Sequence, residues 1–372
     1  MAAMNIAFVD LKAQDAEVRR EVEEGWRSIL DRTAFVLGDE VRAFEEAFAD
    51  FSGVAHCIGV ANGTDALELA LRSVDVGPGD EVIVPANTFI ASALAVSRVG
   101  ARPVLVDCAD DHLIDVDQIE ARLTERTKAI MPVHLYGQMA PMRGILEIAE
   151  RHGLVVVEDA AQSQGASQDG TGSGGLGKVA GTSFYPGKNL GAYGDAGAVL
   201  TNDPDVAQRV QALRNYGSEI KYHHPVTGFN SRLDTLQAVV LSAKLRRLAD
   251  WNDRRRSSAD RYTELLAGVD GVETPTTVAG NEHVWHLYVV RLADQETRDR
   301  AITELGAAGV GVGIHYPVPI HLQGAFEHLG HGHGDFPATE RAAETMLSLP
   351  MHPHLTTEQQ EYVVARLAAV VR

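Results

Sequence analysis

Short apolar runs alternate with amphipathic stretches across residues 56–200, and this alternation is the dominant pattern in the chain. The apolar runs predict strands at 57–61, 81–85, 103–107, 129–133, 154–158, 182–185 and 197–201. Helical periodicity predicts intervening helices that include 65–74, 91–99 and 142–152. Because strands separated by helices of this length form βαβ units, we predict an α/β fold with a mainly parallel sheet. Such sheets bind ligands at the carboxyl ends of their strands.

The pattern changes after residue 230. A long helix is predicted at 232–266, and glycine, proline and threonine then accumulate at 269–281, which indicates a passage into a second domain. The remaining elements are predicted as strand 286–291, helix 296–308, edge piece 311–316 and helix 356–371. We therefore predict a large domain at 1–250 and a small domain at 251–372, with the N-terminal segment able to pack on the small domain.

Composition narrows the classes of partner. The 372 residues are 45% hydrophobic, enough for a sizeable core, and 33 Lys and Arg against 51 Asp and Glu give a net charge of −18. So acidic a chain is a poor candidate for binding nucleic acid or an anionic membrane. No apolar run is long enough to span a membrane, and the N-terminus lacks a signal-peptide pattern. Cys57 and Cys108 sit in apolar surroundings without a CxxC motif, so we predict buried thiols in a soluble cytoplasmic protein.

A turn rich in glycine and proline places Lys188 just after a predicted strand. The turn presents a single amine on a constrained edge, as a lysine that forms a Schiff base with an aldehyde cofactor requires. In isolation, an ordinary surface lysine is the stronger interpretation of this turn.

Two further strand ends carry polar residues. Gly63, Thr64 and Asp65 open a helix after a strand, where Thr64 or Asp65 can cap the helix and free N–H groups suit a phosphate. The alternative is a helix cap without a ligand. Glu158 and Asp159 end another strand, where a carboxylate can pair with a pyridinium nitrogen. The alternative is a solvated acid in a loop.

Other candidates have weaker support. Phe89 follows a strand end and could stack on a flat ring or simply pack in the core. The run at 172–177 matches the dinucleotide fingerprint GxGxxG, but no strand precedes it and no helix follows, so we predict a flexible loop. Histidine pairs at 223–224, 331–333 and 352–354 lack metal-site spacing, and no GxSxG elbow occurs, so we predict no metal site and no serine hydrolase.

The order of these motifs is more specific than any one of them. Gly-Thr-Asp at 63–65, Glu-Asp-Ala-Ala-Gln at 158–162 and Ser-Phe-Tyr-Pro-Gly-Lys at 183–188 are followed by Gly-Phe-Asn-Ser-Arg-Leu-Asp at 228–234 and His-Tyr-Pro at 315–317. From Phe8 to the last helix, the chain resembles the DegT/DnrJ/EryC1/StrS family of pyridoxal-phosphate-dependent sugar aminotransferases. The resemblance implies the aspartate-aminotransferase-like fold type I, with a mainly parallel seven-stranded sheet in the large domain and a smaller α+β C-terminal domain.

The resemblance also implies the cofactor and its ligands. Pyridoxal 5'-phosphate, cycling through pyridoxamine 5'-phosphate, would be held by Lys188, which would also move the proton between substrate and cofactor. Asp159 would pair with the ring nitrogen, and Asn230 would reach the phosphate of the neighbouring subunit in a homodimer with shared active sites. The remaining cofactor contacts would be Phe89 on the ring, Gln162 on its oxygen side, and Gly63, Thr64 and Ser183 at the phosphate.

The resemblance further suggests the reaction. The family's dehydratases carry histidine where Lys188 stands, so lysine favours transamination. The sequence at 230–234 looks like that of members that aminate carbon 3 of nucleotide-linked keto sugars. The implied substrates are a 3-keto-6-deoxyhexose carried on dTDP and L-glutamate, which leaves as 2-oxoglutarate, and the implied pathways are those of deoxyamino sugar and antibiotic biosynthesis. The implied sugar and diphosphate contacts are Lys221, Tyr222, Arg232, His315 and Tyr316.

Three alternatives to this reaction stay open. One is a nucleotide-sugar 4-aminotransferase, although such members more often carry a Tyr-Arg-Met pattern at the position of 230–234. Another is a UDP-sugar 3-aminotransferase. The most remote is a catalytically silent regulator that binds pyridoxal phosphate, whose sequence mark would be the loss of Lys188 or Asp159. Both residues are present.

Overall fold

The computed structural model describes residues 4–220 and 222–371. Its strands are β1 His56–Val60, β2 Glu81–Pro85, β3 Arg102–Val106, β4 Thr127–Ile130, β5 Val155–Asp159, β6 Ser167–Gln168, β7 Thr171–Gly172, β8 Val179–Ser183, β9 Gly197–Thr201, β10 Val272–Glu273, β11 Asn281–Glu282, β12 Tyr288–Leu292 and β13 Met346–Leu349. Its α-helices are α1 Leu11–Arg32, α2 Asp39–Ser52, α3 Gly63–Ser73, α4 Ile90–Arg98, α5 Met142–His152, α6 Pro204–Arg214, α7 Thr235–Leu266, α8 Gln295–Ala307, α9 Pro337–Thr345 and α10 Thr357–Val371.

The central feature is a seven-stranded sheet in the order β1-β9-β8-β5-β4-β2-β3. The strands from β8 to β3 run parallel to one another, whereas β9 is antiparallel to both of its neighbours. The predicted α/β class and the mainly parallel seven-stranded sheet are therefore confirmed. Since β2, β5 and β8 run the same way, their carboxyl ends meet at one edge, which is where ligands of such sheets bind.

Two strand predictions need correction. The strand predicted at 182–185 is Val179–Ser183, because the chain turns immediately afterwards and the Lys188 N–H donates to the Tyr185 carbonyl at 2.8 Å. The edge piece predicted at 311–316 is a single bridge, in which Gly313 exchanges backbone hydrogen bonds with Ser348. Helices α1 and α2, which both pack on α7, were not predicted from the sequence.

A second, three-stranded sheet, β10-β12-β13, lies in the C-terminal part of the chain beside α8 and α10. The N-terminal segment joins this part, because Ile6 bridges Val310 and exchanges 2.8 Å hydrogen bonds with Gly309 and Gly311. The predicted domain boundary at residue 250 falls inside α7, a continuous helix that contacts α1, α2 and α10. The division into 1–250 and 251–372 stays a prediction.

Burial agrees with the sequence at the cysteines. Cys57 and Cys108 are both buried and unpaired, and burial raises the pKa of the Cys108 thiol to about 12. Within the two described ranges, none of the helices has the length and apolarity needed to cross a membrane.

Candidate active site

A cavity of about 720 Å³ opens at the carboxyl ends of β2, β5 and β8. It is also lined by the N-terminal segment and by the irregular segment that precedes β12, so distant parts of the chain meet there. The predicted site residues that line it are Gly63, Thr64, Phe89, Asp159, Gln162, Ser183, Lys188, His315 and Tyr316. The structure thus brings nine of the predicted residues into one place.

One wall of the cavity is the start of α3. The helix begins at Gly63, and its cap is the Asn62 side chain, which accepts a hydrogen bond from the Asp65 N–H at 2.8 Å. Neither Thr64 nor Asp65 is the cap, contrary to our expectation, because the helix starts two residues before the predicted position 65. A Cβ built on Gly63 would lie 2.5 Å from the Ser183 Cβ, so only glycine allows this approach. The first N–H groups of α3 and the Ser183 hydroxyl therefore lie close together, as a phosphate site requires.

Asp159 and Lys188 supply the opposite charges of the cavity; Asp159 is buried and Lys188 is partly buried. The Asp159 carboxylate accepts hydrogen bonds from the Ser92 hydroxyl at 2.7 Å and the Ala161 N–H at 3.1 Å. Burial raises its pKa, although these bonds and Lys188 act in the opposite direction. Burial lowers the pKa of Lys188 to about 8, with Asp159 opposing the shift. The cavity therefore holds an amine that loses its proton easily and a carboxylate that lacks a full counter-charge.

Aromatic and amide groups form the next wall. The Phe89 side chain is 50% exposed and lies 5.3 Å from the Tyr316 ring between centroids, so core packing of Phe89 is excluded. The Gln162 amide accepts from the Tyr136 N–H at 2.7 Å and donates to the Tyr316 hydroxyl at 3.0 Å. The Tyr136 hydroxyl donates to the His315 carbonyl. This chain of contacts orients Gln162 and Tyr316 at the cavity.

Glu158 lies behind the sheet edge and is completely buried. Its carboxylate accepts from His134 Nε2 at 2.7 Å and from the N–H groups of Gly174, Leu176 and Gly177. The prediction of a flexible loop at 172–177 is therefore wrong. The glycine-rich run folds around an anion, and that anion is the protein's own carboxylate.

Several residues in or beside the cavity have no signal in the sequence. His286 lines the cavity and Ser92 holds Asp159 from outside the lining, and neither belongs to a local motif, because each is defined by partners far away in the chain. Asp195 and Tyr185 lie within the segment that was singled out for Lys188, but neither was assigned a role. Arg98 also lines the cavity, with its guanidinium paired to Asp65 and Glu68.

Three of the predicted site residues that the structure describes are not in the cavity. Asn230 is exposed and forms a backbone bridge with Asn215. The Arg232 guanidinium donates to the Asn215 side-chain oxygen at 3.1 Å and lies over the Tyr216 ring. Tyr222 is 82% exposed, and Lys221 lies outside the described residues. The contacts predicted for Asn230, Arg232 and Tyr222 are thus absent from the cavity as one chain forms it.

The residues present fit pyridoxal phosphate. The close approach of Gly63 to Ser183 leaves room for backbone N–H groups to meet a phosphate. Beyond it lie a partly buried amine at Lys188, a buried carboxylate at Asp159 and an exposed ring at Phe89. A phosphate, an aldehyde, a ring nitrogen and a flat ring would each meet a group of suitable chemistry.

Comparison with known proteins agrees with this geometry. The model of the DegT/DnrJ/EryC1/StrS aminotransferase family matches residues 16–368. The chain belongs to this family. The predicted aminotransferase class is therefore confirmed, and the family's relatives can be compared with the chain over nearly its whole length.

Three curated relatives are similar in sequence. EryC1 of Saccharopolyspora erythraea, named an erythromycin biosynthesis sensory transduction protein, is 48% identical over 98% of this chain and 100% of its own. The UDP-N-acetyl-3-dehydro-alpha-D-glucosamine 3-aminotransferase of Acidithiobacillus ferrooxidans is 49% identical over 99% of this chain and 97% of its own. The dTDP-3-amino-3,4,6-trideoxy-alpha-D-glucose transaminase of Streptomyces venezuelae is 47% identical over 96% of this chain and 94% of its own.

Two solved structures extend the comparison to the fold. The S. venezuelae protein DesV, crystallised with a ketimine intermediate, superposes with a TM-score of 0.96 at 46% identity over 99% of both chains. NtdA of Bacillus subtilis, with bound cofactor PMP, superposes with a TM-score of 0.92 at 32% identity over 100% of this chain and 86% of its own. The prediction of a fold type shared with pyridoxal-phosphate-dependent sugar aminotransferases is confirmed, and so is the cofactor class.

Within the described parts of the chain, no group of three or more His, Cys, Asp and Glu side chains is arranged to hold a metal ion. At 331–333, for example, the His333 ring faces Glu340, whose carboxylate already accepts from the Gly334 and Phe336 N–H groups.

Proposed function

We propose that this protein is a pyridoxal-phosphate-dependent aminotransferase that converts a dTDP-linked 3-keto-6-deoxyhexose into the corresponding 3-amino sugar. The observation that carries the proposal is the placement of Lys188 and Asp159 in one cavity beside the Gly63–Ser183 contact. The relatives named as dTDP-3-amino-3,4,6-trideoxyglucose transaminases, at 47% and 45% identity, support the choice of sugar.

Each residue of the cavity has a separate role in the proposed transamination. When bound, the cofactor supplies an electron sink for the carbanion chemistry. Lys188 takes the proton from the substrate carbon and returns it at the other end of the transfer, which its pKa of about 8 favours. Asp159 is held by Ser92 and the Ala161 N–H, and its charge would pair with the ring nitrogen of the bound cofactor. The start of α3 and Ser183 would bind the phosphate and so fix the position of the reacting atoms.

Replacement of Lys188 tests this assignment. We expect Lys188→Ala to lose both the visible absorbance of covalently bound cofactor and all measurable turnover. Lys244→Met is the matched control, because Lys244 is buried, its pKa is also lowered to about 8, and its amine donates to the Gly191 carbonyl outside the cavity. We expect the control to keep the absorbance. Normal turnover in Lys188→Ala would exclude the mechanism.

We propose L-glutamate as the amino donor. Adding glutamate alone to the purified holoenzyme should convert the cofactor to its amine form and release one equivalent of 2-oxoglutarate for each site. Alanine and aspartate serve as comparison donors. If glutamate leaves the absorbance unchanged while another amino acid changes it, the donor assignment is wrong but the aminotransferase assignment holds.

We also propose a homodimer whose two active sites each use residues of both subunits. The exposed positions of Asn230 and Tyr222, and the place of Arg232 outside the cavity, support this arrangement. Mixed dimers of Lys188→Ala and Asn230→Ala subunits provide the test, because each mixed dimer should regain one intact site. Activity that does not rise on mixing and subunit exchange would exclude a shared site.

The competing substrates can be separated directly. A panel of dTDP- and UDP-linked 3-keto and 4-keto sugars, with glutamate as donor, distinguishes the 3-aminotransferase from the 4-aminotransferase and UDP alternatives. The UDP alternative is favoured by the 49% identical relative named a UDP-sugar 3-aminotransferase. A regulatory role, suggested by the name of EryC1, would require that no donor converts the cofactor.

A further inference from the structure

His286 lines the cavity beside Lys188 and has no role in the reaction described so far. It is buried just before β12, and its Nδ1 lies 3.2 Å from the side-chain oxygen of Asn189. Asn189 directly follows Lys188 and is itself 1% exposed. The imidazole is therefore connected to the catalytic turn by a single, fully buried amide.

The hydrogen bonds of Asn189 determine which ring nitrogen carries the proton. Its amide nitrogen donates to the Val284 carbonyl and to the Asn252 side-chain oxygen, both at 2.9 Å. A backbone carbonyl only accepts, so the amide nitrogen must face Val284 and the amide oxygen must face His286. Because that oxygen also only accepts, the proton of the neutral imidazole lies on Nδ1.

The same constraint leaves a lone pair on Nε2 of His286. Within residues 4–220 and 222–371 this nitrogen makes no hydrogen bond, and the ring borders the open cavity. Burial lowers the pKa of His286 well below its ordinary value, and Lys188, Arg255, His315 and His283 add to the shift. A second proton is therefore disfavoured, and the ring stays neutral.

We propose that Nε2 of His286 is a fixed hydrogen-bond acceptor for an N–H or O–H group of the substrate in this cavity. The inference rests on the proposed function. Two substrate groups have the required chemistry: the ammonium of the amino donor and a hydroxyl of the keto sugar. In either case His286 orients the substrate, and Lys188 remains the group that moves the proton.

Two substitutions separate the two nitrogens of the ring. In His286→Asn, the amide nitrogen takes the place of Nδ1 and can still donate to Asn189, but no acceptor reaches the Nε2 position. In His286→Gln, the amide reaches the Nε2 position and restores an acceptor, while the bond to Asn189 is lost. The pair thus distinguishes substrate contact from support of the Lys188 turn.

The two half-reactions are measured separately in each variant. We expect His286→Asn to keep the melting temperature and the affinity for pyridoxal phosphate of the wild type. Its kcat/KM should fall by about 10- to 100-fold in one half-reaction, the effect of one lost polar contact. A loss confined to the glutamate half identifies the ammonium, and a loss confined to the sugar half identifies the hydroxyl. We expect His286→Gln to recover most of this loss at a lower melting temperature.

Two outcomes would overturn the proposal. One is an unchanged kcat/KM in both half-reactions of His286→Asn. The other is an equal loss in both, accompanied by weaker cofactor binding, because His286 would then act only through the Lys188 turn. His283→Asn is the control for removing a buried imidazole from the same segment. Its amide oxygen can still accept from the Trp285 N–H, which now donates to His283 Nδ1 at 2.8 Å.

A spectroscopic measurement tests the tautomer without relying on turnover. In ¹⁵N-histidine-labelled holoenzyme, the signals that disappear in His286→Gln should show a protonated Nδ1 and an unprotonated Nε2 between pH 6 and 8. A proton on Nε2, or a doubly protonated ring, would contradict the inference. If the wild type converts no cofactor with any donor, the proposed function fails, whereas the tautomer assignment is still tested by these spectra.

Discussion

Glu158 and Asp159 are neighbours on β5, yet their carboxylates lie in opposite environments. Successive residues of a strand point to opposite faces, so one carboxylate reaches the back of the sheet edge and the other reaches the cavity. Glu158 accepts four hydrogen bonds, from His134 and three backbone N–H groups, whereas Asp159 accepts two. Each oxygen of Glu158 accepts two hydrogen bonds, whereas each oxygen of Asp159 accepts one and keeps capacity for a further partner.

The pKa shifts follow the same division. Burial by itself would raise both pKa values, but His134 and the glycine-rich loop more than offset it at Glu158, whose pKa is lowered. At Asp159 the offset is incomplete and the pKa is raised. A structural carboxylate is thus satisfied by the fold, whereas a carboxylate that serves a cationic ligand is left partly unsatisfied. Incomplete satisfaction marks the functional member of the pair.

The largest expected effect comes from neutralising the functional carboxylate. Asp159→Asn keeps the shape of the side chain but removes the charge that would face the ring nitrogen. We expect turnover to fall by roughly two to four orders of magnitude, with the affinity for pyridoxal phosphate reduced far less. Single-turnover kinetics and cofactor titration measure the two quantities. Full activity in this variant would remove Asp159 from the mechanism.

Neutralising the structural carboxylate should affect folding instead. Glu158→Gln turns an amide NH₂ toward N–H donors, and we expect a loss of about 3 kcal/mol in the free energy of unfolding. Because the pKa of Glu158 is lowered in the fold, its contribution is present above its ordinary value of 4.5 and is lost as pH falls below it. The difference from wild type in denaturant melts should therefore narrow below about pH 4.5. Glu81→Gln is the control, since Glu81 is a buried carboxylate at the opposite end of the sheet, bound by Thr124 and Arg126. Only Glu158→Gln should also weaken cofactor binding.

A smaller effect is expected from the loop that encloses Glu158. Gly174 has φ +91°, and a Cβ there would lie 2.7 Å from Leu200, whereas Gly170 has φ +82° and open space around it. Both alanine substitutions carry backbone strain of about 1 kcal/mol, but only Gly174→Ala also disturbs the N–H group that binds Glu158. We expect Gly174→Ala to lower the free energy of unfolding by about 2–3 kcal/mol and Gly170→Ala by about 1 kcal/mol. Equal losses would mean that the loop does not support the carboxylate.

The smallest expected effect is a gain, not a loss, in the free energy of unfolding. In cofactor-free protein the raised pKa of Asp159 destabilises the fold at pH values above that pKa, and this penalty disappears as pH falls toward the ordinary value of 3.8. Asp159→Asn should therefore stabilise the cofactor-free protein at pH 7, by about 1 kcal/mol, while Glu158→Gln destabilises it. Thermal melts with and without pyridoxal phosphate give this comparison. A destabilised cofactor-free Asp159→Asn would show that the carboxylate is already fully satisfied.

Most of the fold, and the two charged residues Asp159 and Lys188 of the site, could be predicted from the sequence. Alternating apolar runs and helices specified the βαβ order, because periodicity is a local property of the chain. The placement of Asp159 after one strand and of Lys188 after the next was also readable, since both follow strand ends that must meet at one edge of the sheet. The boundary errors were of one to three residues, as at the strand that ends at Ser183 and at the Asn62 cap, whereas the whole helices α1 and α2 were not predicted.

The tertiary structure decided what depends on distant partners. No local pattern shows that the glycine-rich run binds Glu158, and in sequence it matches a nucleotide motif equally well. The proton position on His286 depends on Asn189 and Val284, which lie 97 residues and two residues away from it. Likewise only the fold places Asn230 outside the cavity of its own chain. Catalytic and binding residues that lie in a local motif can be predicted from the sequence. Protonation states, tautomers and charge compensation cannot, because they depend on contacts that form only when the chain has folded.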